Sequence, residues 1–135
     1  IAEPANFTTA DGKSDIWGIE VLSGTVGGAT RIWAGENNGL ASRDSNWIGG
    51  VAPTNDDFVI FGDTNPNNSC QWDFYFQISS LSVQGAYAGT IALTTNLAVS
   101  SQVIINGGAS AKLDLNGKVL SIQGDLIVNS GKVKD

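Results

Sequence analysis

The residues with the greatest capacity for chemistry are carboxylates, because the sequence contains no histidine. Without imidazole, the usual general base, the serine–histidine pair and the commonest metal ligand are missing. Glycoside cleavage needs two carboxylates at a defined separation, and Asp56 and Asp57 are an adjacent pair. Neighbouring residues of a strand face opposite ways, so capping a turn suits this pair better than catalysis. We predict that the protein is not an enzyme.

One loop offers oxygen ligands for a hard cation. Segment 63–68 is Asp-Thr-Asn-Pro-Asn-Asn, in which Asp63, Asn65 and Asn67 are the candidate ligands. The loop lacks the EF-hand spacing and the glycine-rich nonapeptide pattern, and a solvated turn explains the same residues. Calcium is therefore the one metal suggested, and no other cofactor is expected.

Two further residue types could carry chemistry. Trp72 beside Asp73 is a candidate sugar contact, because a tryptophan ring can stack on a sugar ring; a core position for Trp72 is the favoured interpretation. Cys70 is the single cysteine, which excludes an intrachain disulfide. With no cation beside it in the sequence, a buried and inert thiol is the simpler interpretation.

Composition limits the classes of partner. The net charge is −6 with only seven basic residues, which are scattered, so nucleic acid and anionic membranes are poor partners. No apolar run approaches the roughly 18 residues of a membrane-spanning helix, so membrane insertion is not expected.

The elements that must position these side chains are strands and turns. Charged residues make up 15% of the chain, against about 25% in an ordinary domain, and frequent glycines interrupt every long stretch. Short β-branched runs such as 58–61 are bounded by aspartate and glycine. The sequence therefore predicts an all-β fold.

The C-terminal half contains a repeat. Segment 97–108 matches segment 120–131 without a gap, and segments 83–85 and 91–93 match segments 105–107 and 113–115. Repeats of this length that contain only strands and turns favour a β-solenoid, in which each repeat is one coil and coils stack about 4.8 Å apart. An antiparallel β-sandwich with coincidental spacing is the alternative.

Alternation within the strands predicts which residues face the interior of the solenoid. Equivalent positions in successive coils would stack as aliphatic ladders. The predicted core ladder consists of Ile91, Leu93, Leu97, Val99, Leu113, Leu115, Leu120 and Ile122.

The segment from Ser45 to Phe61 resembles an N-W-x-G-G-x-x-P-x-x-x-D-D-x-[VI]-x-[FI] signature. The signature occurs in large secreted bacterial proteins with β-strand repeats, such as autotransporter-like passengers, where it precedes or opens a right-handed β-helix. The resemblance covers roughly residues 30–135 and implies a right-handed solenoid with an aromatic-rich N-terminal cap. The residues that would form this cap are Trp33, Asn46, Trp47, Gly49, Gly50, Pro53, Asp56 and Asp57, together with the aromatic side chains Trp17, Trp72, Phe74 and Phe76.

These expectations combine into one organisation and two rival functions. Residues 1–57 would form the cap segment and residues 58–135 the coils of a single continuous domain. The resemblance implies a structural or adhesive module at the cell surface, self-assembling head-to-tail into fibres or part of a longer solenoid, with itself or other surface components as partner. The alternative is a carbohydrate-binding module, or the cap of a β-helix enzyme that acts on polysaccharides.

Overall fold

The fold, described here from a computed structural model, comprises residues 28–135; Trp17 and the rest of segment 1–27 lie outside the described residues. The described part consists of short strands joined by turns, with one 3-10 turn at Asp44–Asn46. Low charge and frequent glycine, asparagine and serine favour this arrangement, because such residues serve tight turns better than helices.

The chain winds through five successive coils, of which the first and the last contain two strands each. The first contains β1 (Thr30–Ile32) and β2 (Gly39–Leu40), and the second β3 (Phe58–Phe61), β4 (Cys70–Trp72) and β5 (Gln77–Ile78). The third contains β6 (Ser80–Gln84), β7 (Thr90–Leu93) and β8 (Leu97–Val99), and the fourth β9 (Val103–Asn106), β10 (Lys112–Asp114) and β11 (Leu120–Ile122). The fifth contains β12 (Leu126–Ser130) and β13 (Lys132–Lys134).

Equivalent strands of successive coils pair in parallel and form three sheets. Their orders are β1-β3-β6-β9-β12, β2-β4-β7-β10-β13 and β5-β8-β11. Within the described residues every named strand pairing is parallel. A sandwich of hairpins would instead pair consecutive strands antiparallel, so the predicted all-β solenoid is confirmed.

The register of the sheets pairs the same residues that the sequence repeat aligns. Val83 pairs with Ile105, and Ile91 pairs with Leu113. In segments 97–108 and 120–131, Leu97 pairs with Leu120 and Val103 pairs with Leu126. The sequence repeat is therefore the structural coil.

The interior of the solenoid is filled by alternate residues of each strand, as the burial of β6 and β7 shows. Of the predicted ladder, Ile91, Leu93, Leu97, Val99 and Leu113 are buried. Full burial of each such side chain stabilises the fold by about 1.5–3 kcal/mol. The remaining three, Leu115, Leu120 and Ile122, pack against the core but stay partly exposed. Leu120 and Ile122 lie in β11, the final strand of its sheet. Among the described residues, β11 therefore has a neighbouring strand on one side only.

The expected division at residue 57 does not separate cap from coils within the described part. β1 pairs with β3 and β2 with β4, so residues 30–40 already contribute two strands to the stack. Residues 41–57 take the place of a third strand in the first coil. This segment forms one end of the solenoid.

Candidate functional site: a capped end and an open end

One edge of β1 is covered by residues 46–48, which we call the bridge segment. The Ala34 amide donates to the Asn46 carbonyl at 2.9 Å, and the Ile48 amide donates to the Ile32 carbonyl at 3.0 Å. An isolated antiparallel bridge between Trp33 and Trp47 results. The Trp33 amide points the other way, to the Ile60 carbonyl of β3. The bridge segment therefore occupies the edge of β1 that lies away from the next coil.

The Asn-Trp pair of the signature completes this cap with its side chains. The Asn46 Nδ2 donates to the Leu40 carbonyl at 2.9 Å, and the Trp47 Nε1 donates to the Ala41 carbonyl at 2.7 Å. Asn46 and Trp47 are both buried. The carbonyls of the last residue of β2 and of the residue after it are thus hydrogen-bonded. In an uncapped coil these carbonyls would be unpaired.

Trp47 also closes the aromatic part of the core. Its ring lies edge-on to Trp33 at 5.3 Å and to Phe61 at 5.8 Å between centroids. Phe61 in turn contacts Tyr87 in the third coil at 5.2 Å. A second cluster joins Trp72, Phe74 and Phe76. The aromatic side chains therefore extend from the first coil into the third and are not confined to the end.

The glycine pair and the proline of the signature return the chain towards β3. Gly49 and Gly50 have φ angles of +85° and +73°, which favour glycine because it has no Cβ. The Gly50 amide donates to the Trp47 carbonyl at 2.9 Å, and Pro53 is buried. The turn therefore holds the bridge segment in place from its C-terminal side.

Asp57 fastens the end of the cap to β1. Its carboxylate is buried and accepts hydrogen bonds from the Ala29 amide at 2.8 Å, the Arg31 Nε at 2.9 Å and the Thr54 amide at 2.8 Å. Burial alone raises the pKa of Asp57, but the bonds from Arg31, Thr54 and Ala29 together hold its pKa below the ordinary value. This carboxylate is engaged in the turn, as expected for a capping residue. Asp56 is exposed with a φ of +64°, and its backbone carbonyl accepts from the Gly28 amide.

At the opposite end of the described stack, the last coil is paired on one side only. Leu126 and Val128 pair in register with the buried Val103 and Ile105, yet are 47% and 45% exposed. Val133 pairs with the buried Leu113 and is itself only partly buried. Leu126, Val128 and Val133, which we call the open edge, are inward positions of the repeat that no further described coil covers.

Backbone groups at the open edge are also unpaired within the described residues. The Val103 amide donates to the Asp125 carbonyl, so Asp125 and Ile127 face β9. The alternate peptide groups, those of Leu126 and Val128, point away from it. In β13, the peptide groups of Lys132 and Lys134 face β10, where they bond to the Ala111 carbonyl and the Leu115 amide. The amide and carbonyl of Val133 therefore point away from β10. The open edge therefore combines apolar side chains with free donors and acceptors.

The loop expected to bind calcium connects coils. Asp63 accepts from the Ala86 amide at 2.8 Å, and the Asn65 Nδ2 donates to the Ala34 carbonyl at 2.7 Å. Asn67 is exposed. Within residues 28–135 no three acidic, histidine or cysteine side chains gather as a cation site. Calcium binding here stays a prediction without structural support.

The expected sugar contact at Trp72 and Asp73 does not match the placement of these residues. Trp72 is fully buried, so neither face of its ring is open to a sugar. Asp73 accepts from the amide and hydroxyl of Ser42 at 2.9 and 2.6 Å, and so ties the end of β4 to the first coil. The neighbouring Cys70 is buried as well, and burial, followed by the charge of Asp73, raises the pKa of its thiol.

The described residues form a β-solenoid in which the bridge segment caps the first coil and no described residue covers the open edge. Comparison with protein-family models, with curated proteins and with solved structures gives no match for this chain. In the part of the chain that the structure describes, no helix is long and apolar enough to span a membrane.

Proposed function

We propose that this chain is a non-catalytic structural module of an extracellular surface, and that the isolated chain joins a second copy of itself through the open edge. The observation that carries the proposal is the contrast between the ends. The bridge segment covers β1, while Leu126 and Val128 remain nearly half exposed in register with buried residues. An uncovered edge of this kind is a template for strand addition. The extracellular location and the structural role rest on the resemblance of segment 45–61.

The geometry favours contact between two open edges. A head-to-tail contact, as expected from the sequence, would require the bridge segment to leave β1, with loss of the bonds at Ile32 and Ala34. Two open edges can instead pair β12 with β12 antiparallel, because each offers the same unpaired groups. Charge does not oppose this contact, since segment 112–135 contains four lysines and three aspartates. A two-fold contact of this type closes at a dimer.

Sedimentation velocity over a range of protein concentrations tests the proposal with a matched pair of variants. Val128→Lys places a charge on the open edge, whereas Ile48→Lys makes the same change at a residue of the capped end that is 52% exposed. We expect the native chain and Ile48→Lys to dimerise alike. Val128→Lys should weaken dimerisation at least about tenfold, because the charge would be buried without a partner.

Three results would overturn the proposal. The native chain could remain a monomer at the highest concentration, Val128→Lys could associate as the native chain does, or Ile48→Lys could abolish association. The last result would indicate head-to-tail growth instead. Circular dichroism of both variants, compared with the native spectrum, shows whether the fold is retained.

The rival function, a carbohydrate-binding module, gains nothing from the residues expected to serve it. Trp72 and Asp73 are occupied within the protein. The only support for sugar binding in the described residues comes from a different part of the surface.

A further inference from the structure

A shallow groove crosses three coils at the corner between the second and third sheets. It has a volume of about 360 Å³ and is lined by Tyr75, Thr94, Thr95, Asn96 and Lys118. Tyr75 follows β4 in the second coil, residues 94–96 follow β7 in the third, and Lys118 follows β10 in the fourth. Since coils stack about 4.8 Å apart, the groove extends about 10 Å from Tyr75 to Lys118. It can therefore accept an elongated ligand that lies along the solenoid.

Tyr75 provides an open aromatic surface at one end of the groove. Its side chain is 90% exposed, in contrast to the buried rings of Phe74 and Tyr87. Phe74 and Phe76, on either side in the sequence, pack together with ring centroids 4.5 Å apart. This pair anchors the corner while the ring of Tyr75 stays in solvent. A tyrosine held in this way offers an apolar face and a polar hydroxyl, the combination that suits a sugar ring.

The floor of the groove has polar atoms with fixed roles. The Thr94 hydroxyl donates to the Trp72 carbonyl at 2.9 Å, and the Thr95 hydroxyl donates to the Phe74 carbonyl. Because each hydroxyl has one proton, both oxygens can only accept from a ligand. Asn96 Oδ1 accepts from the Val119 amide at 2.9 Å, so its Nδ2 is directed to donate. The floor therefore presents acceptors and a donor that match the hydroxyl groups of a sugar.

Among the described residues, Lys118 is the one charged side chain that lines the groove. Its side chain is exposed and makes none of the ion pairs found among the described residues. An ammonium group at this end of the groove favours a ligand that carries a carboxylate. The carboxylate would lie about two coil spacings from the part of the ligand that stacks on Tyr75.

We propose that the groove binds a saccharide that contains uronic acid, with one ring on Tyr75, hydroxyls on Thr94, Thr95 and Asn96, and a carboxylate at Lys118. The site is independent of the open edge and of the proposed dimer, because it lies on the side of the stack.

Titration calorimetry with tri-galacturonate, and with its methyl ester as the matched neutral ligand, tests the proposal. We expect Tyr75→Ala to weaken binding of tri-galacturonate at least about tenfold, through loss of the stacked ring. Lys118→Gln should weaken binding of the acid several-fold and leave binding of the ester unchanged. Lys132→Gln, at an exposed lysine outside the groove, serves as the control and should have no effect.

The proposal is overturned if tri-galacturonate does not bind at millimolar concentration, or if Tyr75→Ala binds as the native chain does. Equal loss in Lys118→Gln and Lys132→Gln would indicate general charge attraction and would likewise overturn it. Equal affinity for acid and ester would contradict the assignment of an acidic sugar. Because the ring of Tyr75 is 90% exposed, Tyr75→Ala should fold normally, and thermal unfolding checks this.

Discussion

Trp47→Ala is the substitution that most directly probes the cap. Truncation of a buried tryptophan costs about 3–5 kcal/mol, and Trp47 is only 3% exposed. The change also removes the bond to the carbonyl of Ala41, a buried residue, and an unpaired buried acceptor costs about 1–3 kcal/mol. These contributions overlap, so we expect the free energy of unfolding to fall by about 4 kcal/mol. A domain of this size has only about 5–15 kcal/mol in total.

Urea unfolding followed by far-ultraviolet circular dichroism measures this loss without relying on tryptophan fluorescence. Trp47→Phe keeps an aromatic ring but removes the indole donor, and should cost about 1–2 kcal/mol. Tyr75→Ala removes an exposed ring and should change stability by less than about 0.5 kcal/mol. A loss below about 1 kcal/mol for Trp47→Ala, at an unchanged urea dependence, would refute the capping role.

Two further predictions concern titratable side chains. Because the pKa of Asp57 in the folded protein lies below its unfolded value of about 3.9, its contribution to stability is complete above that value and is lost as pH falls through the folded pKa. Asp57→Asn should therefore unfold more easily at neutral pH and lose part of the acid sensitivity in urea melts from acid to neutral pH; an unchanged pH dependence would contradict the role of this carboxylate. Burial raises the pKa of the Cys70 thiol, so a thiol reagent should label it slowly in the native protein and fully in guanidinium chloride. Rapid stoichiometric labelling of the native chain would show that Cys70 is not buried.

The coils could be predicted from the sequence because each carries the same physical requirement. Inward positions must be apolar in every coil, so Val83 and Ile105, or Leu97 and Leu120, recur at the spacing that their pairing imposes. Because successive coils have the same geometry, the sequence repeats with the length of a coil. This repeat can be seen in the sequence without knowledge of any contact.

The cap was predictable in composition but not in geometry. The signature marked Asn46 and Trp47, but their partners are the backbone carbonyls of Leu40 and Ala41. Every residue has such a carbonyl, so the sequence does not indicate which ones are bonded. The same limit applies to the two interpretations of Trp72. A tryptophan beside an aspartate is equally consistent with a core ring and a sugar contact, and only the position of β4 inside the stack decides between them.

The groove was missed because its residues are distant in sequence and ordinary in type. Tyr75, Asn96 and Lys118 meet because corners of successive coils stack, so that each is separated from the next by about one coil of chain. The coil repeat, applied to the turns as well as to the strands, was the signal that could have found them.

The contrast between the two ends can be tested most directly by residue-resolved hydrogen exchange at low and high protein concentration. We expect the amides of Ala34 and Ile48 to be protected at both concentrations, since the bridge segment pairs them within one chain. The amides of Leu126 and Val128 should exchange rapidly at low concentration and become protected at high concentration. Protection that rises with concentration at residues 28–48, with β12 unchanged, would contradict the assignment of the capped and open ends.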